Sequence, residues 1–165
     1  MTHTHITPEM RSVLGREFAH STSFPIAASD IRRWAIAVYY PEPPPARYWD
    51  RSVTREPLTA PQEFNPFAWM SSEGPAPAAE HDPDRHFRSL GVAGPGLRFQ
   101  VNGGVEVAYG VPMREGDVIT SSSSIAELTE RTGRLGLMLF TTVETVLTNQ
   151  DDAEVRRQRM TIIRY

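Results

Sequence analysis

The sequence predicts an α+β protein: a long central α-helix wrapped by a curved antiparallel β-sheet. One strong amphipathic helix pattern lies in the first third. Long β-rich runs divided by short turn signals fill the last third. All but one of the 14 prolines precede residue 97, the exception being Pro112, so the two parts differ in character.

The elements follow in order. "TPEMRSVLG" (7–15) reads as a short helix, with Thr7 as N-cap, Pro8 at the first helical position and Gly15 as the stop. "SDIRRWAIAVYY" (29–40) is the main helix. Ser29 or Asp30 caps it, and Ile31, Trp34, Ala35 and Val38 form one apolar stripe with Arg32 and Arg33 off it. Pro41 ends this helix, because it donates no hydrogen bond and drives Tyr40 out of the α region. "APQEFNPFAWM" (60–70) is an aromatic loop with one helical turn from Asn65, and residues 71–88, rich in Pro, Ala and acids, form an expected mobile loop. "GGVEVAYG" (103–110) alternates with period two. Runs 117–133, 134–152 and 153–165 are long strands separated by turns at Thr132-Gly133 and at Asn149 to Asp152, which makes an antiparallel meander. In the second of these runs both faces are apolar at first, so one is expected to pack a helix and the other a second layer. The simplest geometry is the hot-dog arrangement, one domain over 1–165. Its long strands leave an open edge that a second copy or a partner is expected to pair.

Composition removes several functions. The absence of cysteine excludes disulfides, a thiolate metal site and a cysteine nucleophile. All 17 basic residues are arginine, which removes Schiff-base and Walker-type lysine chemistry. A net charge of -3 gives no electrostatic case for nucleic acid. "MTHTHITPEM" lacks a signal-peptide pattern and no stretch approaches the ~18 apolar residues of a membrane span, so a soluble, cytoplasmic protein is expected.

Four segments carry a family resemblance: "SDIRRWAIAVYYPEPPPARYWD", "APQEFNPFAWM", "VNGGVEVAYGVPMREGDVI" and "GRLGLMLFTTVETVLTNQDDAEVRRQRMTIIR". In this order and spacing, over roughly residues 8 to 165, they resemble MaoC-like dehydratase N-terminal domains. These hot-dog proteins include the FAS1-like dehydratase domains and the accessory subunits of bacterial type II fatty-acid dehydratases. The resemblance implies an enoyl-CoA or 3-hydroxyacyl thioester, on CoA or an acyl carrier protein, as the bound molecule. It implies neither cofactor nor metal. Active relatives carry an aspartate and a histidine after the helix, in a pattern like "GD-x-NP-x-H-x-D". Adding water across a conjugated thioester needs a base for the water and an acid for the α-carbon, with the carbonyl polarised by backbone N–H groups. Here the aspartate position falls near Tyr39 or Tyr40, the histidine position near Tyr48, and Asp50 matches the trailing aspartate, with Pro41 to Pro45 between them. The acid–base pair is therefore expected to be missing, and a catalytic MaoC-like partner subunit, in a heterodimer or heterotetramer, to supply it. Single-chain relatives carry two hot-dog halves, and this length covers one.

The substrate-binding candidates are Tyr39, Tyr40, Tyr48, Phe64, Trp69, Gly103 and Gly104. Tyrosine, with an ordinary pKa of about 10, is a poor base near neutrality, so these rings are as readily packing groups that close the helix end. Asp50 stands as a weak acid–base candidate and otherwise as a turn cap. Glu63 is a third candidate, on the condition that burial raises its pKa. The glycine pair permits close backbone approach, of a neighbouring strand or of a thioester. His81 and His86 bracket "HDPDRH" in a segment too loose to preorganise metal ligands. His20 reads as a surface cap, and Ser121 to Ser124 as small residues for tight packing or a widened channel. Arg156, Arg157 and Arg159 read as a solvated strand face or a phosphate contact. The rival readings are an autonomous hydratase using Asp50 and Tyr48, a thioesterase using Glu63, and a non-catalytic acyl-CoA-binding module.

Overall fold

The computed structural model describes residues 4–54, 57–68, 70 and 82–165. Helix α1 spans Pro8–Ser12, with the Thr7 side chain accepting from the Met10 N–H, and Gly15 (φ 74°) turns the chain away. Strand β1 (Glu17–Thr22) follows where no strand is expected, and His20 lies in it, 3.3 Å from Glu17. Helix α2 spans Ala28–Tyr39. Its N-cap is Ala27, so Ser29 and Asp30 fall inside the first turn instead of capping it, and Asp30 pairs with Arg33. Tyr40 leaves helical dihedrals (φ -55°, ψ 137°) ahead of Pro41, as the proline requires. A 3-10 turn at Ala46–Tyr48 and helix α3 (Arg85–Ser89) complete the helical parts. The end of the segment expected to be a loop is thus helical at 85–88; its 71–81 portion lies outside the described residues.

Strands β2 (Gln100–Tyr109), β3 (Thr120–Gly133), β4 (Gly136–Thr148) and β5 (Glu154–Arg164) join β1 in one antiparallel sheet of order β1-β3-β4-β5-β2. The meander holds for β3, β4 and β5, but β2 crosses to the far side of β5 and forms an edge. The β3–β4 turn falls at 134–135, just past the expected glycine, with Gly136 at φ 90°. The β4–β5 turn is held by Asn149 Oδ1, which accepts from Asp151 N and Ala153 N.

On β4, Leu139, Thr141, Val143 and Leu147 are buried, whereas the alternate residues stay half-exposed. Only one face of the strand is therefore covered within the chain, against the expectation of a second layer. That inner face carries two apolar clusters. Near α2, Ile31, Ala35, Tyr48, Phe64 and Met113 meet Ile119, Leu147 and Val155. At the other end, Met10 and Val13 of the α1 region and Phe87 and Leu90 around α3 meet Ile125, Leu128 and Leu139. Val38 shares the helical stripe of Ile31 and Ala35 yet is 51% exposed, because the covering residues stop short of the helix end.

The segment around α3 is clasped by charge. Arg164, 2% exposed, places Nη2 2.6 Å from Asp84 Oδ1 and donates to the Leu97 carbonyl at 2.7 Å, while Gly96 N–H donates to Asp84 Oδ2. A Cβ at Gly94 would lie 2.3 Å from that carboxyl group, so only glycine fits there. Beside the clasp, His86 stacks on Phe18 with ring centroids 4.4 Å apart, and Arg85 Nε donates to His86 Nε2. That bond needs an unprotonated Nε2. Burial, then Arg85 and Arg164, hold the imidazole below its ordinary pKa of 6.5. The folded state thus binds the proton less readily than the unfolded chain does. Stability present above the ordinary value is lost as pH falls through it toward the folded pKa. Thermal melts between pH 7.5 and 5.5 should show a falling Tm, and His86→Phe should flatten that slope. An unchanged slope would remove His86 as its source.

Candidate functional site

The end of α2 and the chain that follows form the stretch from which the resemblance draws its site candidates, Tyr39 to Asp50. Tyr48, 2% exposed, sits in the α2 cluster. Its ring centroid is 6.4 Å from that of Tyr39, and its hydroxyl accepts from Arg47 Nη2 at 3.1 Å. That bond raises the Arg47 pKa. Arg32 Nε donates to the Tyr48 carbonyl at 3.0 Å, tying the turn back to the helix. Trp49 is exposed and bonds the Pro44 carbonyl. Tyr48 thus fills the interior of the cluster and keeps its polar tip on a cation. Tyr40 differs from it: at 80% exposed it lines no enclosed space within this chain.

Asp50 Oδ1 accepts from both Ser52 N and Ser52 Oγ, which holds its pKa below the usual carboxylate value. A carboxylate so stabilised is a weaker base, and this one closes a turn. Glu63 is exposed, so the burial on which its candidacy depended is not met. Phe64 is buried, edge-on to Trp34 at 5.8 Å. Trp69 and His81 lie outside the described residues.

Gly103 and Gly104 lie on the edge strand. The register shifts between Asn102 and Gly104, Gly104 takes φ 139°, and Asn102 Oδ1 accepts its N–H. This is a β-bulge, and only glycine adopts that backbone readily. The bulge borders a shallow open hollow of about 350 Å³ whose other walls include Glu127, Thr142, Arg159 and Thr161. A smaller cleft of about 60 Å³ lies where Ala60, Pro61 and Gln62 approach Tyr109 to Met113. The structure therefore brings Tyr39, Tyr48 and Phe64 together around α2 and leaves Gly103 and Gly104 on the edge strand, outside that cluster.

Ser123 Oγ and Thr145 Oγ1 are 2.8 Å apart, and Ser122 donates to Glu17, so the serine run stitches β3 to its neighbours. Arg157 pairs with Glu144 and Glu154, and Arg159 with Glu127 and Glu144. Those two arginines belong to a cross-strand charge ladder. Pattern reading missed the clasp of Asp84 and Arg164. The only local hint was an arginine in the otherwise apolar end "MTIIRY".

A five-stranded antiparallel sheet with helices packed on its inner face defines a hot-dog protein, and its structural neighbours are of the MaoC-like dehydratase kind. Among solved structures, the fold is similar to the ChsH1-ChsH2 complex from Mycobacterium tuberculosis (TM-score 0.62, 17% identity, 91% of this chain and 84% of that one). It is also similar to the HadBC (3R-hydroxyacyl-ACP dehydratase) complex of the same organism (TM-score 0.52, 18% identity, 91% and 99%). A third is the R-hydratase PhaJ1 from Pseudomonas aeruginosa (TM-score 0.50, 16% identity, 90% and 79%). The family model for the FAS1-like dehydratase domain region matches residues 12–158, and the chain belongs to that family. No curated protein sequence matches it.

Proposed function

We propose that this chain is the pocket-shaping subunit of an acyl-thioester hydratase/dehydratase, acting on an enoyl-CoA or 3-hydroxyacyl-CoA or on the carrier-protein equivalent. A partner hot-dog subunit supplies the aspartate and histidine. One observation carries the reading: where the resemblance puts the histidine, this chain holds a buried Tyr48 tied to Arg47, and the Asp50 that matches the trailing aspartate is committed to Ser52. Neither group is free to shuttle a proton to substrate. This subunit contributes one hot-dog domain, whose Tyr39, Tyr48 and Phe64 stiffen the pocket wall from behind.

The open β2 edge supports a partner. All ten residues are exposed, including Val101, Val105, Val107 and Tyr109. An unpaired apolar edge of that length invites association. Two of the similar structures are complexes of two different chains, which supports a heteromeric assembly here.

The test is hydration of crotonyl-CoA and of longer enoyl-CoAs, by the isolated chain and by the chain co-expressed with a hot-dog protein bearing the aspartate–histidine motif. Turnover is expected only in the second case. Robust turnover by the isolated chain would sink the reading; loss of that turnover in Asp50→Asn or Glu63→Gln would then name the autonomous base.

A further inference from the structure

Arg156 is the odd member of the arginine run. It lies opposite Leu147 on β4 and opposite Tyr109 on β2. Directly opposed residues of an antiparallel pair share a face, and Leu147 is buried in the α2 cluster, so Arg156 stands on the inner face. Arg157 and Arg159 stand on the outer face and are both paired with glutamates. Among the described residues Arg156 has no ion pair and no side-chain hydrogen bond, and its Nε is buried without a partner. A guanidinium stays charged, and none of the described residues supplies its counter-charge.

The strand beside it decides between sources. On the inner face β2 presents Gln100 and Asn102 before the bulge and Val105, Val107 and Tyr109 after it. Its one acid, Glu106, lies opposite Arg159 on the outer face. If a second copy paired its β2 against this one, it would bring that same inner set whatever the antiparallel register. No carboxylate of that strand stands on the inner face to reach Arg156, and the charged residue nearest before the strand is Arg98. Self-pairing would therefore bring no counter-charge to Arg156, and whatever water it took from the half-exposed guanidinium would go uncompensated.

We propose that this edge is built for a different chain whose pairing strand carries an aspartate or glutamate on the inner face beside Tyr109, where it forms an ion pair with Arg156. Arg156 thus acts as a partner-choice residue that disfavours the homodimer. The proposal rests on the reading of the chain as one subunit of a heteromer and specifies the chemistry of the partner.

Sedimentation velocity on the whole chain at micromolar concentration tests it, with Arg156→Met and Arg156→Gln as two independent variants. The wild-type chain is expected to be monomeric, and both variants to self-associate with a Kd at least about tenfold tighter. A stable wild-type homodimer, or variants as monomeric as the wild type, would overturn the proposal. Titration with coenzyme A should give the same affinity for wild type and Arg156→Met. A loss of about tenfold would assign the guanidinium to a phosphate of coenzyme A instead, and the proposal fails. Crotonyl-CoA turnover measured on the same samples keeps the two readings apart: activity of the isolated chain defeats the subunit function, while the association data alone judge Arg156.

Discussion

Replacing Arg164 with methionine should lower the unfolding free energy by about 3–5 kcal/mol, because it leaves Asp84 enclosed without its cation. For a domain of this size the thermal midpoint should fall by about 10 °C. Arg164 is almost wholly buried, and its 2.6 Å contact with Asp84 joins the last strand to the segment carrying α3. The same guanidinium holds the Leu97 carbonyl. The pairing energy itself is not what the measurement reports: taking two charges out of water is costly, and the large loss comes from stranding one of them. The double variant Asp84→Leu/Arg164→Met should therefore recover much of what the single change loses. If the single change costs less than about 1 kcal/mol, the clasp is a surface-type pair of little energetic weight. Gly94→Ala should act in the same direction by forcing its Cβ onto the Asp84 carboxyl group.

The second large effect concerns Tyr48, buried in the cluster around α2. Tyr48→Ala should destabilise the fold by about 3–5 kcal/mol, as truncation of a buried aromatic does. Tyr48 contacts Tyr39 and belongs to the cluster around Ile31 and Leu147, so the space it leaves has rigid walls. Tyr48→Phe removes only the bond from Arg47 and should cost about 1 kcal/mol. These two variants separate architecture from chemistry. In the assembled hydratase Tyr48→Phe should leave kcat unchanged, since the hydroxyl is engaged by Arg47 and not by substrate. A drop of a hundredfold or more in kcat, with the protein still folded, would make Tyr48 a catalytic residue and return the autonomous reading.

Much of the fold was legible. The 3.6-residue stripe of Ile31, Trp34 and Ala35, with Pro41 as terminator, marks α2 to within a residue or two, and the turn residues divide β3, β4 and β5. β1 was not legible because "EFAHST" buries little beyond part of Phe18; a strand that packs almost nothing has no alternation to read. Val38 misled for the opposite reason. Periodicity reports which face a side chain occupies, not whether anything covers that face at that height. In the site, the lack of a histidine between Tyr39 and Asp50 was visible in the sequence, but the separate fates of its tyrosines were not. Tyr48 is interior, Tyr39 partly so and Tyr40 solvent-facing, and only the path of the chain through the proline run assigns them.

By itself the sequence determined where α2 and the long strands β3, β4 and β5 run, and that the stretch from Tyr39 to Asp50 holds no histidine. Those are local facts, set by spacing, by proline and by residue type. The tertiary structure alone decided that β2 lies beyond β5, with Val105 opposite Met160, and so forms an open apolar edge. It also decided that Asp84 answers Arg164 while, among the described residues, Arg156 goes unanswered. The physical reason is common to all three. A strand's pattern encodes its two faces but not its neighbour, and a charge's cost or benefit depends on what folds against it from far along the chain.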